Sequence, residues 1–305
     1  MPTDAWPGRG HVRQFTDRIA FVTGGASGIG FGIVQALLAE GMKVAIADYD
    51  PDHLDQARAA LRGDNKTHFI QVDVSDRAAL RRAADETVAT FGAIHLLVNN
   101  AGVAGGGGAD DPDFDEWDRA LSINLGGVVN GCKIIVPIIK AQGQSGHVVN
   151  TASMAGVVPL PGFGAYSTAK YAVRGYTEAL RLALAPHGIG VSCLYPGAVK
   201  SQLMPVPDDN SSAPEGEEGR FTAMFWDAMR AAMEPVEMGR RVLAAIRENR
   251  PHVLTHAEFL PEVTARNRAM EAAFPIDQDV PEARARFERM RRETVDGLLA
   301  MPAKD

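Results

Sequence analysis

The stretch Ile19-Ala20-Phe21-Val22-Thr23-Gly24-Gly25-Ala26-Ser27-Gly28-Ile29-Gly30 decides the fold. Its first five residues are an apolar run of strand length. Glycines at 24, 28 and 30 then let the main chain turn tightly and come close to a ligand. Phe31 to Ala39 follows at helical spacing, with Ile33, Ala36 and Leu37 on one face and Gly41 as the stop signal. Strand, glycine-rich turn and helix in this order put unpaired N–H groups and the positive end of a helix dipole at the turn. That is a natural seat for a pyrophosphate. The spacing is G-x-x-x-G-x-G rather than the commoner G-x-G-x-x-G.

Outward from this turn the alternation repeats. Val44–Ala47, Phe69–Val72, Leu96–Val98, Gly146–Thr151 and Val191–Leu194 read as further strands. His53–Leu61, Arg77–Phe91, Asp115–Lys140 and Ala165–Ala185 read as helices, the third with a kink expected at Pro137. Six strands alternating with helices call for right-handed crossovers and a parallel sheet covered on both faces. The expected fold is α/β: a single doubly wound Rossmann-type domain whose ligand sits at the carboxyl ends of the strands. Further on, residues 205–219 read as a loop and Phe221–Met233 as an apolar helix. Gly239–Asn249 reads as another helix, Val253–Thr255 as a seventh strand, and the last stretch, especially Pro281–Leu299, as charged helix. The expected division is a catalytic domain over 14–260, with a substrate loop or lid at about 203–234. A helical C-terminal extension of the same domain covers 261–305.

Composition narrows the function. The 305 residues carry a formal net charge of −7, which argues against general nucleic-acid binding. With 46% hydrophobic and 23% charged residues, the chain is globular rather than disordered. Two cysteines, Cys132 and Cys193, cannot build a disulfide framework, so a reducing compartment is expected. The first fifteen residues lack an apolar signal segment. Apolar runs such as Ile134–Ile139 are far shorter than the roughly 20 residues of a spanning helix. A cytoplasmic protein with no membrane and no nucleic-acid partner is expected. The histidines are scattered; His252 and His256 are four apart but lack acidic or cysteine neighbours, so no metal site is expected.

Two further features carry chemistry. Asp48 ends the second strand, 18 residues past Gly30, where a carboxylate can accept both adenosine ribose hydroxyls and repel a 2′-phosphate. Neither Ser27 nor Tyr49 supplies a cation for such a phosphate, which favours NAD over NADP. Tyr166-Ser167-Thr168-Ala169-Lys170 puts a phenol and an ammonium four apart on one helix face. A free phenol titrates near 10, and an adjacent cation favours the phenolate needed for acid–base work.

Asn99-Asn100-Ala101-Gly102 follows the fourth strand, Asn124 lies on the long helix, Ser153 comes just past the fifth strand, and Pro196-Gly197 follows the sixth. With the glycine turn, Asp48 and the Tyr166/Lys170 pair, their order and spacing resemble those of the short-chain dehydrogenase/reductase family, from Gln14 to Leu203. The resemblance implies that Tyr166 is the catalytic acid/base. Lys170 would lower its pKa and bind the nicotinamide ribose. Ser153 would hold the substrate oxygen, and Asn124 would position a water in the proton relay. The implied cofactor set is Gly24, Ser27, Gly28, Ile29, Gly30, Asp48, Asp73, Val74, Asn100, Ala101, Gly102, Tyr166, Lys170, Pro196, Gly197, Val199 and Ser201. Asp73 and Val74 serve the adenine, and Ser201 stands where the family often has a threonine.

The implied activity is NAD-dependent interconversion of a secondary alcohol and a ketone. The alternatives are an NADPH-dependent ketoreductase, a lyase or epimerase on the same bed, or a cofactor-binding relative without turnover. Phe31-Gly32 and Pro281-Glu282-Ala283-Arg284 resemble the branch containing bacterial lignin aryl-ether Cα-dehydrogenases, implying a bulky aromatic or alicyclic alcohol. Phe221, Met224, Phe225, Trp226, Met229 and Met233 suit an apolar lid, or packing on the body or a neighbouring subunit. Val103–Ala109, Met154–Phe163 and Gly197–Leu203 are the other expected walls. The resemblance also implies a homodimer or homotetramer paired through Asp115–Lys140 and Ala165–Ala185. Val128, Val129, Ile135 and Ile139 are either contacts there or monomer core.

Overall fold

Seven strands form one sheet in the order β3-β2-β1-β4-β5-β6-β7, every neighbouring pair parallel. They are β1 (Ile19–Thr23), β2 (Lys43–Asp48), β3 (Thr67–Gln71), β4 (Leu96–Asn99), β5 (Gly146–Thr151), β6 (Ile189–Tyr195) and β7 (His252–Leu254). The computed structural model describes residues 12, 14–105, 107–110, 113–203 and 216–300, with the main chain alone over 216–221. The helices are α1 (Gly28–Ala39), α2 (Pro51–Ala60), α3 (Arg77–Phe91), α4 (Phe114–Leu121), α5 (Gly127–Ala141), α6 (Gly164–Leu184), α7 (Gly216–Arg230), α8 (Pro235–Glu248), α9 (Leu260–Ala272) and α10 (Glu282–Ala300).

The strands alternate between two cores, which is why they read as unbroken apolar runs. Ala20 and Val22 of β1, Val44 and Ile46 of β2, and Leu96 and Val98 of β4 pack with α1 and α8 on one face. Phe21, Ala45, Ala47 and Leu97 point the other way, to α3 and α5. The chain reverses its direction of travel across the sheet between β3 and β4, so the loops after β1 and β4 diverge and open a crevice at their carboxyl ends. Helix α1 lies close on α8: a side chain at Gly32 would come 2.0 Å from the Pro235 oxygen, and one at Gly239 2.3 Å from the Gly32 oxygen.

Three expectations are corrected and one alternative is decided. The helix expected over Asp115–Lys140 is interrupted at Ser122–Gly126, which forms a widened π-turn, while α5 runs on through Pro137. A side chain at Gly127, just past the turn, would meet Val74 at 2.5 Å, so the helix resumes only by close approach at glycine. The loop expected over 205–219 gives way to α7 from Gly216 onward, and 205–215 lie outside the described residues. Of the two readings open for Val128, Val129, Ile135 and Ile139, monomer core holds for Val128, Ile135 and Ile139, while Val129 keeps partial exposure. Finally, among the described residues one helical stretch, Phe114–Ala141, is long and apolar enough to cross a membrane, contrary to the reading of short runs. More than half of its apolar window is buried inside the fold.

Candidate active site

The glycine turn is built by leaving side chains out. A Cβ at Gly30 would sit 1.9 Å from the Gly24 oxygen, and one at Gly24 2.9 Å from Ala101 Cα. Gly24 and Gly28 adopt φ +59° and +48°. Ser27 caps α1 without a side-chain hydrogen bond, and no acidic residue stands in the first turn. The first-turn N–H groups have no partner within the helix and suit an anion.

Thr23, which sequence reasoning passed over as a site residue, ties this turn to the next. Its Oγ1 accepts from the N–H groups of Asn100 (2.9 Å) and Ala101 (3.1 Å). The Asn100 amide donates back to the Thr23 and Gly24 oxygens at 3.3 and 3.2 Å. Below it, Asn99 donates to Asn150 Oδ1 at 2.8 Å, and Asn150 donates to Thr177 at 3.1 Å. A polar residue ending a strand was the one available signal for Thr23.

Asp48 is buried, and its two oxygens accept from Ala26 N (3.0 Å) and Asp50 N (3.2 Å). It therefore braces the glycine turn while facing the cleft. Asp73 Oδ1 accepts from the N–H and hydroxyl of Ser75. The Val74 oxygen accepts from Asn130, and its side chain is buried.

These parts enclose a cleft of about 510 Å³, within the usual range of about 300–1,000 Å³ for small-molecule sites. Of the expected cofactor set, Gly24, Ser27, Gly28, Ile29, Asp48, Asp73, Val74, Asn100, Ala101, Gly102 and Ser201 line it. Gly30 backs the turn, while Val199 is buried and bridged to Met233. Tyr49, His53, Arg119 and Ile123 also line the cleft. Nothing in the sequence separated them from ordinary surface residues. The unpaired first-turn N–H groups of α1, the glycine-rich turn and the cleft-facing carboxylate fit a dinucleotide.

The catalytic candidates converge on the far side of Gly102. A Cβ there would come 2.7 Å from Asn124 Oδ1 and 3.5 Å from Lys170 Nζ. Asn124 is fully buried in the π-turn; its amide accepts from Val103 N (3.1 Å) and donates to Val103 O (3.0 Å). The side chain is thus spent on holding the 100–103 loop. Lys170 Nζ donates to the Thr151 oxygen at 3.2 Å and lies 5.4 Å from the centre of the Tyr166 ring. Ser153 acts on the Tyr166 phenol, favouring its charged form, and Ser153 Oγ accepts from Ala155 N at 3.1 Å.

The charges here differ from the simple expectation. Burial pushes the Tyr166 phenol above its usual range, with Ser153 pulling the other way. Burial also pushes the Lys170 ammonium down to about 8. At this distance the lysine does not lower the phenol below its ordinary value; desolvation wins.

Pro196 follows β6. Its oxygen accepts from Met154 N (2.8 Å) and lies 3.5 Å from Ser153 Oγ. At the other end of the same loop, Ser201 Cβ is 2.8 Å from where a Gly28 side chain would be. Residues 196–201 therefore bridge Ser153 and the glycine turn. Of the expected lid, Met229 is buried, Met233 packs on the α1/α8 core, Phe225 and Trp226 are half-buried and Met224 is exposed. The Phe221 side chain and Met204 lie outside the described residues. Met154 and Val158 are also core rather than open wall, and Gly164 packs on Ala109, its N–H donating to the Gly107 oxygen. Gly106 lies outside the described residues.

Residues 18–210 match the family model described as short chain dehydrogenase, and the chain belongs to that family of oxidoreductases. It is similar to the Cα-dehydrogenase of Sphingobium sp. strain SYK-6, 33% identical over 288 residues, covering 92% of this chain and 94% of the relative. Among solved structures, the apo form of LigO from the same strain matches with TM-score 0.75 and 36% identity, covering 92% of this chain and 97% of that one. A short-chain dehydrogenase/reductase from Burkholderia phymatum in complex with NAD matches with TM-score 0.75 and 28% identity, covering 88% and 100%.

Proposed function

We propose that this protein is an NAD(H)-dependent oxidoreductase interconverting a bulky aromatic or alicyclic secondary alcohol and its ketone. The observation that carries the reading is the buried Lys170, 5.4 Å from the Tyr166 ring and close on Gly102, a residue that lines a cleft suited to a dinucleotide. When bound, the nicotinamide supplies the hydride acceptor and a positive charge. In oxidation, Tyr166 as phenolate takes the alcohol proton while Ser153 orients the substrate oxygen and donates to the charge developing on it. Reduction runs the same path with Tyr166 protonated. Lys170, anchored on Thr151, faces both Tyr166 and the Gly102 segment, where it can hold the nicotinamide ribose.

Asp48 supports NAD over NADP: it is a buried carboxylate on the cleft wall, and a 2′-phosphate beside it would meet like charge. The NAD complex of the Burkholderia relative agrees. The bulky-substrate reading leans on likeness to the Sphingobium Cα-dehydrogenase, which extends through most of this chain. The catalytic unit we assign to 14–260 and the helical extension to 261–305. Exposed Phe274, Ile276, Phe287 and Met290 in that extension favour a homodimer or homotetramer. The two buried free thiols suit a reducing cytoplasm.

The test is a panel of benzylic, alicyclic and small aliphatic alcohols and ketones, assayed with both cofactors. Turnover of the bulky alcohols with NAD⁺ in preference to NADP⁺ is expected. Preference for NADPH would replace the cofactor assignment, and turnover confined to small polyols would remove the bulky substrate. Binding of NADH without turnover on any member would leave a non-enzymatic relative.

A further inference from the structure

The pair His252 and His256, which form no metal site with neighbours among the described residues, do separate things. His252 bonds the Tyr195 hydroxyl at 3.0 Å. His256, just past β7, reaches back to the loop that bridges Ser153 and Gly28. Gly197 N donates to its Nδ1 at 3.0 Å, and its Nε2 lies 3.0 Å from the Ala198 oxygen. A main-chain N–H can only donate, so Nδ1 carries no proton and Nε2–H donates to Ala198. The ring also explains the glycine: a side chain at Gly197 would meet it at 2.6 Å.

Both sides of this contact are braced. Thr255 Oγ1, with one proton to give, lies 2.8 Å from His256 Nδ1 and 3.1 Å from the Tyr195 oxygen. Arg241 donates to the Thr255 oxygen at 2.8 Å. On the loop's other flank, Met233 N donates to the Ala198 oxygen and Lys200 N to the Met233 oxygen, each at 3.1 Å. The Ala198 oxygen thus has two donors, whereas the Gly197 N–H is held by the His256 side chain.

We infer that His256 is a positioning residue for the nicotinamide half of the cofactor, acting through the Gly197–Ala198 main chain. The loop it fixes touches the catalytic serine at one end and the pyrophosphate turn at the other, so it walls the space between them. This inference rests on the proposed dinucleotide function. The adenosine half would rest on Asp48, Asp73 and the glycine turn, which His256 does not touch.

The experiment compares calorimetric binding of NADH and of ADP-ribose, which lacks the nicotinamide, by the full chain and its H256L, H256N and H256Q variants. H256L is expected to bind NADH about tenfold more weakly, the effect of losing a part-buried hydrogen-bond pair, and ADP-ribose as before. Asn places an oxygen where Nδ1 stands and keeps the Gly197 acceptor; Gln reaches instead for Ala198. Because Ala198 retains Met233 as a donor while Gly197 would be orphaned, H256N should bind NADH more tightly than H256Q. That ranking carries the test if the Leu variant fails to fold. Unchanged NADH affinity in H256L, equal weakening of both ligands, or an H256Q that matches or exceeds H256N would overturn the inference. A wild type that takes up neither ligand would overturn the proposed function and this inference with it.

Discussion

The glycine turn after β1 and the part of α6 that carries the catalytic candidates both close on the Asn100–Gly102 loop but are built in opposite ways. The turn works by omission: Gly24 and Gly30 leave room for main chain to touch main chain, and bound phosphate would meet N–H groups directly. The catalytic end works by burial of polar side chains: Asn124, Ser153 and Lys170 are withdrawn from solvent and tied to main-chain partners. The first should fail by steric clash, with effects on binding. The second should fail electrostatically, with effects on turnover and its pH dependence.

The largest break should come at Tyr166. Tyr166→Phe removes the proton acceptor while keeping the ring, so kcat should fall by about a thousandfold with NADH affinity nearly intact. Loss of affinity without loss of kcat would mean that the ring, not the hydroxyl, matters.

Next is Lys170→Met, read through stability as well as turnover. The folded chain holds this ammonium at about 8, against 10.5 for a free lysine. Between those values the unfolded chain keeps the proton and the folded chain gives it up, so stability rises with pH across that window. Below about 8 the burial cost is fully present, about 3 kcal/mol by the size of the displacement. The Met variant should therefore lose turnover yet melt higher than wild type at pH 7. The gap should narrow as the pH rises from about 8 towards 10.5. Melting curves across that range would check the sign; a gap independent of pH would contradict it.

Gly30→Ala probes the other region. Its methyl would stand 1.9 Å from the Gly24 oxygen, and overpacking of this kind costs about 1–3 kcal/mol. NADH binding should drop with it, since the turn must shift. The smallest effect sharpens the contrast within one residue type. Gly175 lies exposed in α6 with open space where a side chain would go and no positive φ. Gly175→Ala should stabilise the fold by about 0.5–1 kcal/mol, without change in kcat or NADH affinity. Denaturant titration of both alanine variants would show opposite signs.

Much of this was legible in the chain. Strand and helix positions followed from apolar runs and from stops such as Gly41, because a strand buried on both faces has little choice of composition. The order of glycine turn, Asp48, Ser153 and Tyr166/Lys170 named the candidate site from the chain alone. The break in the long helix was not legible: Pro137 was the visible signal, yet α5 accommodates it and the π-turn falls at Ser122–Gly126. Its location depends on Val103 and Val74, partners about 20 and 50 residues away in the chain, and no local pattern records them.

The sequence alone determined the order of elements, the parallel sheet and the residue types of the candidate catalytic set, since these depend on local periodicity and fixed spacing. Tertiary structure decided which neighbour each of those groups would keep. It raised the Tyr166 phenol through burial where helix spacing beside a lysine implied lowering. It gave His256 a main-chain partner 59 residues away. Desolvation and hydrogen-bond partnership are properties of packing, and packing is set by contacts between distant parts of the chain.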